Sequence, residues 1–356
     1  MNSFHPQPFR VVITHRVHAD VLDLLGQSCE LSANQTPTSL TRTELLSRCR
    51  NADALMVFMP DHVDAELLEH SPRLQIVAGA LKGYDNIDLD ACTARGIWVS
   101  YVEDLLTGPT ADLAVGLLIA LDRHLLAGDS VVRSGQHRGW RPELYGGGLA
   151  GRQVGIVGLG AVGRAVAHRL RAFDTRLLYT DPKRLSVADE KTLGLRAVPF
   201  ENLVADSTAV VVTAPLTDHT RHLIGPAALA RLPQGAVLVN VGRGSVVDED
   251  AVARSLLAGH LGGYAADVFA FEDWSDRDRP RDIPPELLAH DRTLFTPHLG
   301  SAVGEVRRQI ELAAARSILD VRDGKRPSIA ANVIEAPGAG EADHQAQHST
   351  LFDEGL

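Results

Sequence analysis

Four residues of this chain have types and positions suited to acid–base work on a small anion: Lys82, Arg243, Glu272 and His298. Each follows a short apolar run. Lys82 comes after Leu74–Gly79, and Arg243 follows Val237–Val241 in NVGRGS. Glu272 lies just past Tyr264–Phe269 in DVFAFED, and His298 follows Leu294–Thr296 in TPHLGS. Histidine exchanges a proton near neutral pH. A carboxylate bonded to its ring fixes the tautomer and favours the protonated form. Arginine clamps an anionic group through parallel N–H donors. Taken singly, each residue has a plainer reading, since surface Lys and Arg mostly face water and many histidines only brace loops. In open parallel sheets, sites form beyond the carboxyl ends of strands. Four such residues after four strand-like runs therefore point to one cleft between two domains.

A second motif supplies the redox partner. Gln153–Asp181 reads QVGIVGLGAVGRAVAHRLRAFDTRLLYTD. The apolar run Val154–Val157 suits a buried strand. It leads into Gly158, Leu159, Gly160, Ala161, Val162 and Gly163, then a helical pattern, then a second strand-like run, Arg176–Tyr179. Strand, glycine turn, helix, strand and acid together form a dinucleotide-binding unit. Gly158 permits the tight turn, Gly160 lets backbone approach a pyrophosphate, and Gly163 lets helix and strand pack closely. The helix N-terminus offers unpaired N–H groups to phosphates. Asp181, 21 residues after Gly160, is placed to accept from a ribose 2′-OH and would repel a 2′-phosphate. NAD is therefore the expected cofactor. Lys183 and Arg184 leave NADP as a weaker one.

The elements that position these residues alternate. From Arg10 to about Tyr101, strand-like runs (Val11–Thr14, Ala54–Phe58, Leu74–Gly79, Ile97–Tyr101) alternate with helical patterns. Thr41-Arg42-Thr43-Glu44 is a capping-box pattern opening a helix to about Arg50. Pro109–Leu126 is a long apolar helix, read as a domain-bridging or dimer helix. Beyond Asp181, Ala209–Thr213, Ala236–Val241, Gly263–Phe269 and Thr293–Thr296 read as strands, and residues 304–323 as a helix. The fold class is α/β, with two doubly wound parallel sheets. Residues 1–8 and 336–356 read as loose tails, and His344 and His348, four apart in the second, as solvated. The 356 residues suffice for two domains, and 45% hydrophobic with 22% charged residues fits a globular protein. A net charge of −10 without a basic cluster excludes a nucleic-acid surface. No apolar run approaches a membrane span. Three cysteines without a CxxC argue against a disulfide framework or a zinc site. The N-terminal residues lack a signal pattern, so the expected location is cytoplasmic. No metal ligand set stands out.

Across about residues 9–330, the chain resembles the D-isomer-specific 2-hydroxyacid dehydrogenases. The resemblance rests on GLGAVGR at 158–164, NVGRGSVVDEDAV at 240–252, GGYAADVFAFED at 262–273 and TPHLGSA at 296–302. It implies a Rossmann-type NAD domain, 105–303, inserted into a flavodoxin-like substrate domain, 1–104 and 304–335. It implies that Arg243 binds the substrate anion and that Glu272 pairs with His298, the acid/base. It further implies cofactor contacts at Thr110, Pro215 and Asp267, and a homodimer. The family usually carries Pro after the Glu; here Asp273 follows, then Trp274.

Within the family, ITHRVH at 13–18, FMPDHVDAELL at 58–68, GALKGYDNIDLDACTARGIWV at 79–99 and RSGQHRGWRPELYGGGL at 133–149 are similar to the phosphite (phosphonate) dehydrogenases. That resemblance implies a phosphite site with Lys82, Gly83, Met59, Trp140, Tyr145, Ser301 and Arg307 near the substrate. Two cations suit a compact, multiply charged oxyanion. The expected reaction is oxidation of phosphite to phosphate by NAD. The alternative is a D-2-hydroxyacid dehydrogenase acting on a small carboxylate. A remote alternative is an NAD-sensing binding protein that retains the site but recruits partners.

Overall fold

Mostly apolar runs of three to five residues form the strands, and mostly amphipathic stretches form the helices between them. The computed structural model describes residues 8–334 except 275 and 277. The tails expected over 1–8 (apart from Pro8) and 336–356, with His344 and His348, lie outside the described residues. The chain divides into two units, one reaching to Glu103 and resuming at Arg308, the other running from Asp104 to Arg307.

The first unit begins β1 (Phe9–Ile13), α1 (Ala19–Gly26), β2 (Cys29–Ala33), α2 (Arg42–Cys49), β3 (Ala54–Val57). It continues α3 (Ala65–Glu69), β4 (Ile76–Gly79), α4 (Leu89–Ala94), β5 (Trp98–Ser100). Its sheet runs β2-β1-β3-β4-β5, all parallel, the flavodoxin-like order. Strands β3 and β4 are buried along their whole length, as strands covered on both faces must be. The capping box forms on α2: the Thr41 side chain accepts from the Glu44 backbone N–H, and the Glu44 carboxylate accepts from Thr41 N at 2.9 Å.

The second unit opens with α5 (Thr107–Asp122) and α6 (Leu125–Arg133). There follow β6 (Gln153–Val157), α7 (Ala161–Arg171), β7 (Arg176–Thr180), α8 (Val187–Leu193), β8 (Leu195–Ala197) and α9 (Phe200–Asp206). Next come β9 (Ala209–Val212), α10 (Pro226–Arg231), β10 (Val237–Asn240), α11 (Glu249–Leu257), β11 (Gly263–Ala266), α12 (Pro285–Ala289) and β12 (Thr293–Phe295). The final helix, α13 (Gly304–Arg322), starts in this unit, and its residues from Arg308 onward belong to the first. The seven parallel strands run β12-β11-β10-β9-β6-β7-β8. This is the doubly wound dinucleotide order, with its switch point between β6 and β9.

The long apolar helix expected over Pro109–Leu126 is two helices. His124, in the left-handed region at φ 50°, separates α5 from α6. The apolarity of α5 is explained inside its own unit: Ala111, Ala114, Leu117, Leu118 and Leu121 join the core formed with β6, β9 and β10. By contrast α6 buries no residue, and Leu125, Leu126 and Val132 are exposed.

Candidate active site

The glycine turn shows a separate physical task for each glycine. Gly158 follows β6 with φ 87°, and a Cβ there would lie 2.7 Å from the Ala214 Cα. At Gly163 a Cβ would meet the Gly158 carbonyl oxygen at 2.3 Å, so α7 and β6 touch backbone to backbone. At Gly160, which caps α7, a Cβ would meet nothing within 4 Å. That open space, in front of the first N–H groups of Ala161 and Val162, fits a pyrophosphate. Thr213 braces the turn by donating from Oγ1 to the Gly158 carbonyl at 2.6 Å, and Leu159 is buried beneath it. Asp181 follows β7 and accepts from Leu159 N at 2.7 Å and Lys183 N at 2.8 Å. Its carboxylate is thus fixed at the rim, with lone pairs left for a ribose hydroxyl. Pro215 follows β9 across the switch point.

The expected acid–base pair, His298 and Glu272, comes together within the same unit. His298 Nδ1 lies 2.6 Å from Glu272 Oε2, the two side chains being 28% and 21% exposed. The pair engages Nδ1, so proton exchange with a substrate falls to Nε2. His298 is held at φ 57°, and its N–H donates to the Asp267 carbonyl. A non-glycine residue in this region marks a constrained backbone. Asp267, 2% exposed, accepts from the Thr296 hydroxyl at 2.6 Å, Leu299 N at 2.6 Å and Gly300 N at 2.8 Å. Burial pushes its pKa up, against the pull of those donors. Thr110 on α5 donates to the carbonyls of Leu106 and Gly300. Both expected cofactor contacts therefore first shape the loop that carries His298.

Arg243 sits three residues past β10. Asn240, fully buried, donates to the Arg243 carbonyl and accepts from Gly242 N, setting the course of the loop. Strands β10, β11 and β12 are sheet neighbours, so Arg243, Glu272 and His298 leave three adjacent carboxyl ends. Ser301 follows His298 by one turn, and Arg307 on α13 reaches toward its hydroxyl at 3.5 Å.

Lys82, Gly83 and Met59 belong to the first unit. Lys82 and Gly83 are half-buried just beyond β4, and Met59 follows β3 and packs on the core of that unit. Trp140 and Tyr145 belong to the second unit. They are 82% and 73% exposed, and within its unit Tyr145 lines a cavity of ≈ 420 Å³ with Arg152, Thr208, Val237 and Arg292. Those four stand at the amino ends of β6, β9, β10 and β12, the sheet edge opposite His298. The segment feeds into the start of β6, and in a parallel sheet that start lies on the far edge. Within its unit, Tyr145 thus stands apart from Arg243, Glu272 and His298.

Sequence reading missed Glu249 and Asn240, which bond to the site loops; noted only as a departure was Asp273, now seen buried. Burial of a carboxylate is invisible without the fold. Among the described residues, no three His, Cys, Asp or Glu side chains gather as a metal set, and no helix is long and apolar enough to cross a membrane.

Residues 115–300 match the family described as D-isomer specific 2-hydroxyacid dehydrogenase, NAD binding domain. The chain is 36% identical over 341 residues to a glyoxylate reductase of Pyrococcus furiosus, covering 93% of this chain and 99% of that one. A Thermus thermophilus structure superposes with a TM-score of 0.81 at 32% identity, over 91% of this chain and all of the other. An NADPH-dependent glyoxylate/hydroxypyruvate reductase of Sinorhizobium meliloti, solved with NADP and malonate, gives 0.76 at 27% identity, over 90% and 96%. The chain belongs to the D-isomer-specific 2-hydroxyacid dehydrogenase family, and its second unit is the NAD-binding domain.

Proposed function

We propose that this NAD-dependent dehydrogenase interconverts a small 2-oxoacid and its 2-hydroxyacid, with glyoxylate and glycolate as the representative pair. The observation that carries the reading is the 2.6 Å pairing of His298 with Glu272 on the strand edge that also carries Arg243. The glyoxylate reductase names of its relatives support the substrate class. The bound nicotinamide supplies or accepts the hydride. Arg243 holds the substrate carboxylate. In reduction, protonated His298 gives its Nε2 proton to the carbonyl oxygen as the carbon gains hydride; in oxidation, neutral His298 takes the hydroxyl proton. Glu272 favours the imidazolium that oxidation creates.

A second reading, oxidation of phosphite to phosphate, draws no support from the names of the relatives. It is favoured by Lys82 and by the segments around it, at 58–68 and 79–99. On this reading Lys82 supplies a second cation for a multiply charged oxyanion, and His298 deprotonates the attacking water. NADH absorbance with NAD and phosphite, D-lactate, D-glycerate or glycolate, and NADH consumption with glyoxylate, decide between the two. Wild type and Lys82→Ala are compared. Turnover of hydroxyacid or oxoacid alone supports the first reading. Turnover of phosphite alone, lost in Lys82→Ala, replaces it with the second. NADH binding without turnover of any of them points to the sensing alternative.

Asp181 favours NAD over NADP. A cytoplasmic location is part of the same proposal, and the three free cysteines suit a reducing compartment. A homodimer is also part of this proposal, with the apolar side chains of Leu125, Leu126, Val132 and Trp140 as the surface that would be covered. A monomer mass at micromolar concentration would refute it.

A further inference from the structure

Two buried carboxylates tie the loop of Arg243 to the loop of Glu272. A 3₁₀ turn, Gly244–Val246, follows Arg243, and another, Ala270–Glu272, ends on the catalytic carboxylate. Glu249, 5% exposed at the start of α11, sends Oε1 across to accept from Ala270 N at 3.0 Å. Asp273, 1% exposed, sends Oδ2 the other way to accept from Ser245 N at 2.6 Å. Each loop thus contributes a carboxylate to a backbone N–H of the other. Between them Gly244 lies against the chain at Phe269 and Ala270, where a Cβ would fall within 2.2 Å of three backbone atoms. Sequence position alone suggests none of this, because Glu249 and Asp273 are 24 residues apart.

We infer that Glu249 and Asp273 are positioning residues, a reciprocal clasp that sets Arg243 and Glu272 in register for the reaction. This rests on the reading of Arg243, Glu272 and His298 as the reacting set. The clasp also has a charge. Burial, together with Asp273, Glu272 and Asp250, pushes the Glu249 carboxyl up to about 7. Those three acids and the buried Tyr264 phenol are the titratable groups facing it.

The test uses the full-length enzyme with NADH and glyoxylate, or with NAD and phosphite if that couple turns over. Glu249→Ala and Asp273→Ala should lower kcat about tenfold to a hundredfold, the scale of small misplacements of reacting groups, with NADH binding unchanged by fluorescence. Glu249→Gln and Asp273→Asn keep the accepting oxygen and should restore kcat to within about threefold of wild type. Folded alanine variants with undiminished kcat would overturn the clasp. Should they not fold, Glu249→Met, which keeps the length of the side chain without the accepting oxygen, takes their place, and an undiminished kcat in it overturns the clasp. His298→Ala is the separate control: if it retains turnover, the reading of the site fails first and takes the clasp with it.

Discussion

At the scale of single residues, the proposed chemistry depends on one imidazole made directional by one carboxylate. Glu272→Gln keeps the size of the side chain and removes the charge that supports the imidazolium. We expect kcat to fall about 10²-fold, the typical worth of positioned acid–base catalysis, while the dissociation constant for NADH stays the same. Arg243→Lys should behave nearly as badly as Arg243→Ala in kcat/KM for the anion, because lysine cannot reproduce a two-donor fork. An equal loss in both kcat and NADH affinity would show that the loops had collapsed instead. The types of Arg243, Glu272 and His298 and their positions after apolar runs single them out in the sequence, and the structure sets them at three adjacent strand ends. Tyr145 and Trp140 were legible only by resemblance, and within their unit Tyr145 stands on the other sheet edge. Glu249 was not legible, because an acidic residue opening a helix ordinarily serves the helix dipole in water; only the fold shows it buried.

At the scale of elements, the glycine turn makes two predictions of opposite kind. Gly160→Ala adds a methyl to open space at an extended backbone position (φ −67°, ψ −162°). The protein should keep its melting temperature, and NADH affinity should drop by an order of magnitude or more, as the methyl stands where backbone must approach phosphate. Gly163→Ala drives a methyl into the Gly158 carbonyl. It should cost about 1–3 kcal/mol or more of stability before any ligand is added. Equal melting curves for both variants would refute this division of labour. The elements most legible in sequence carry redundant signals. The capping box at Thr41 and Glu44 forms as read, and Pro226–Arg231 begins with the proline its helix requires. Strand β2 went unread because CELSA is half-exposed at the sheet edge and has no apolar run. Helix α5 was read as a bridging or dimer element because apolarity reports burial without saying against what.

At the scale of the whole molecule, the site has a thermodynamic consequence that activity assays do not see. The folded state holds the Glu249 proton up to about pH 7, whereas an unfolded glutamate near the ordinary value of 4.5 has already released it. Between these values the native state binds more protons than the unfolded one. Stability therefore falls as pH rises from about 4.5 through 7 and levels off above. The shift corresponds to about 3 kcal/mol at most. Asp267, also pushed up by burial, adds to the same trend, while carboxylates held down by partners, such as Asp64 at the Leu67 N–H and beside Arg42 and Glu190 beside Arg184, act at lower pH, as their unfolded forms titrate. The wild-type curve alone is thus a mixture, and the difference from Glu249→Gln isolates the one group. Denaturant melts of both proteins from pH 5 to 8 should show Glu249→Gln gaining on wild type as pH rises, with most of the gain complete by about pH 8. Parallel curves would mean that Glu249 reaches water or a cation in the folded protein. The carboxylate would then brace the Ala270 turn as a charge that does not switch across this range.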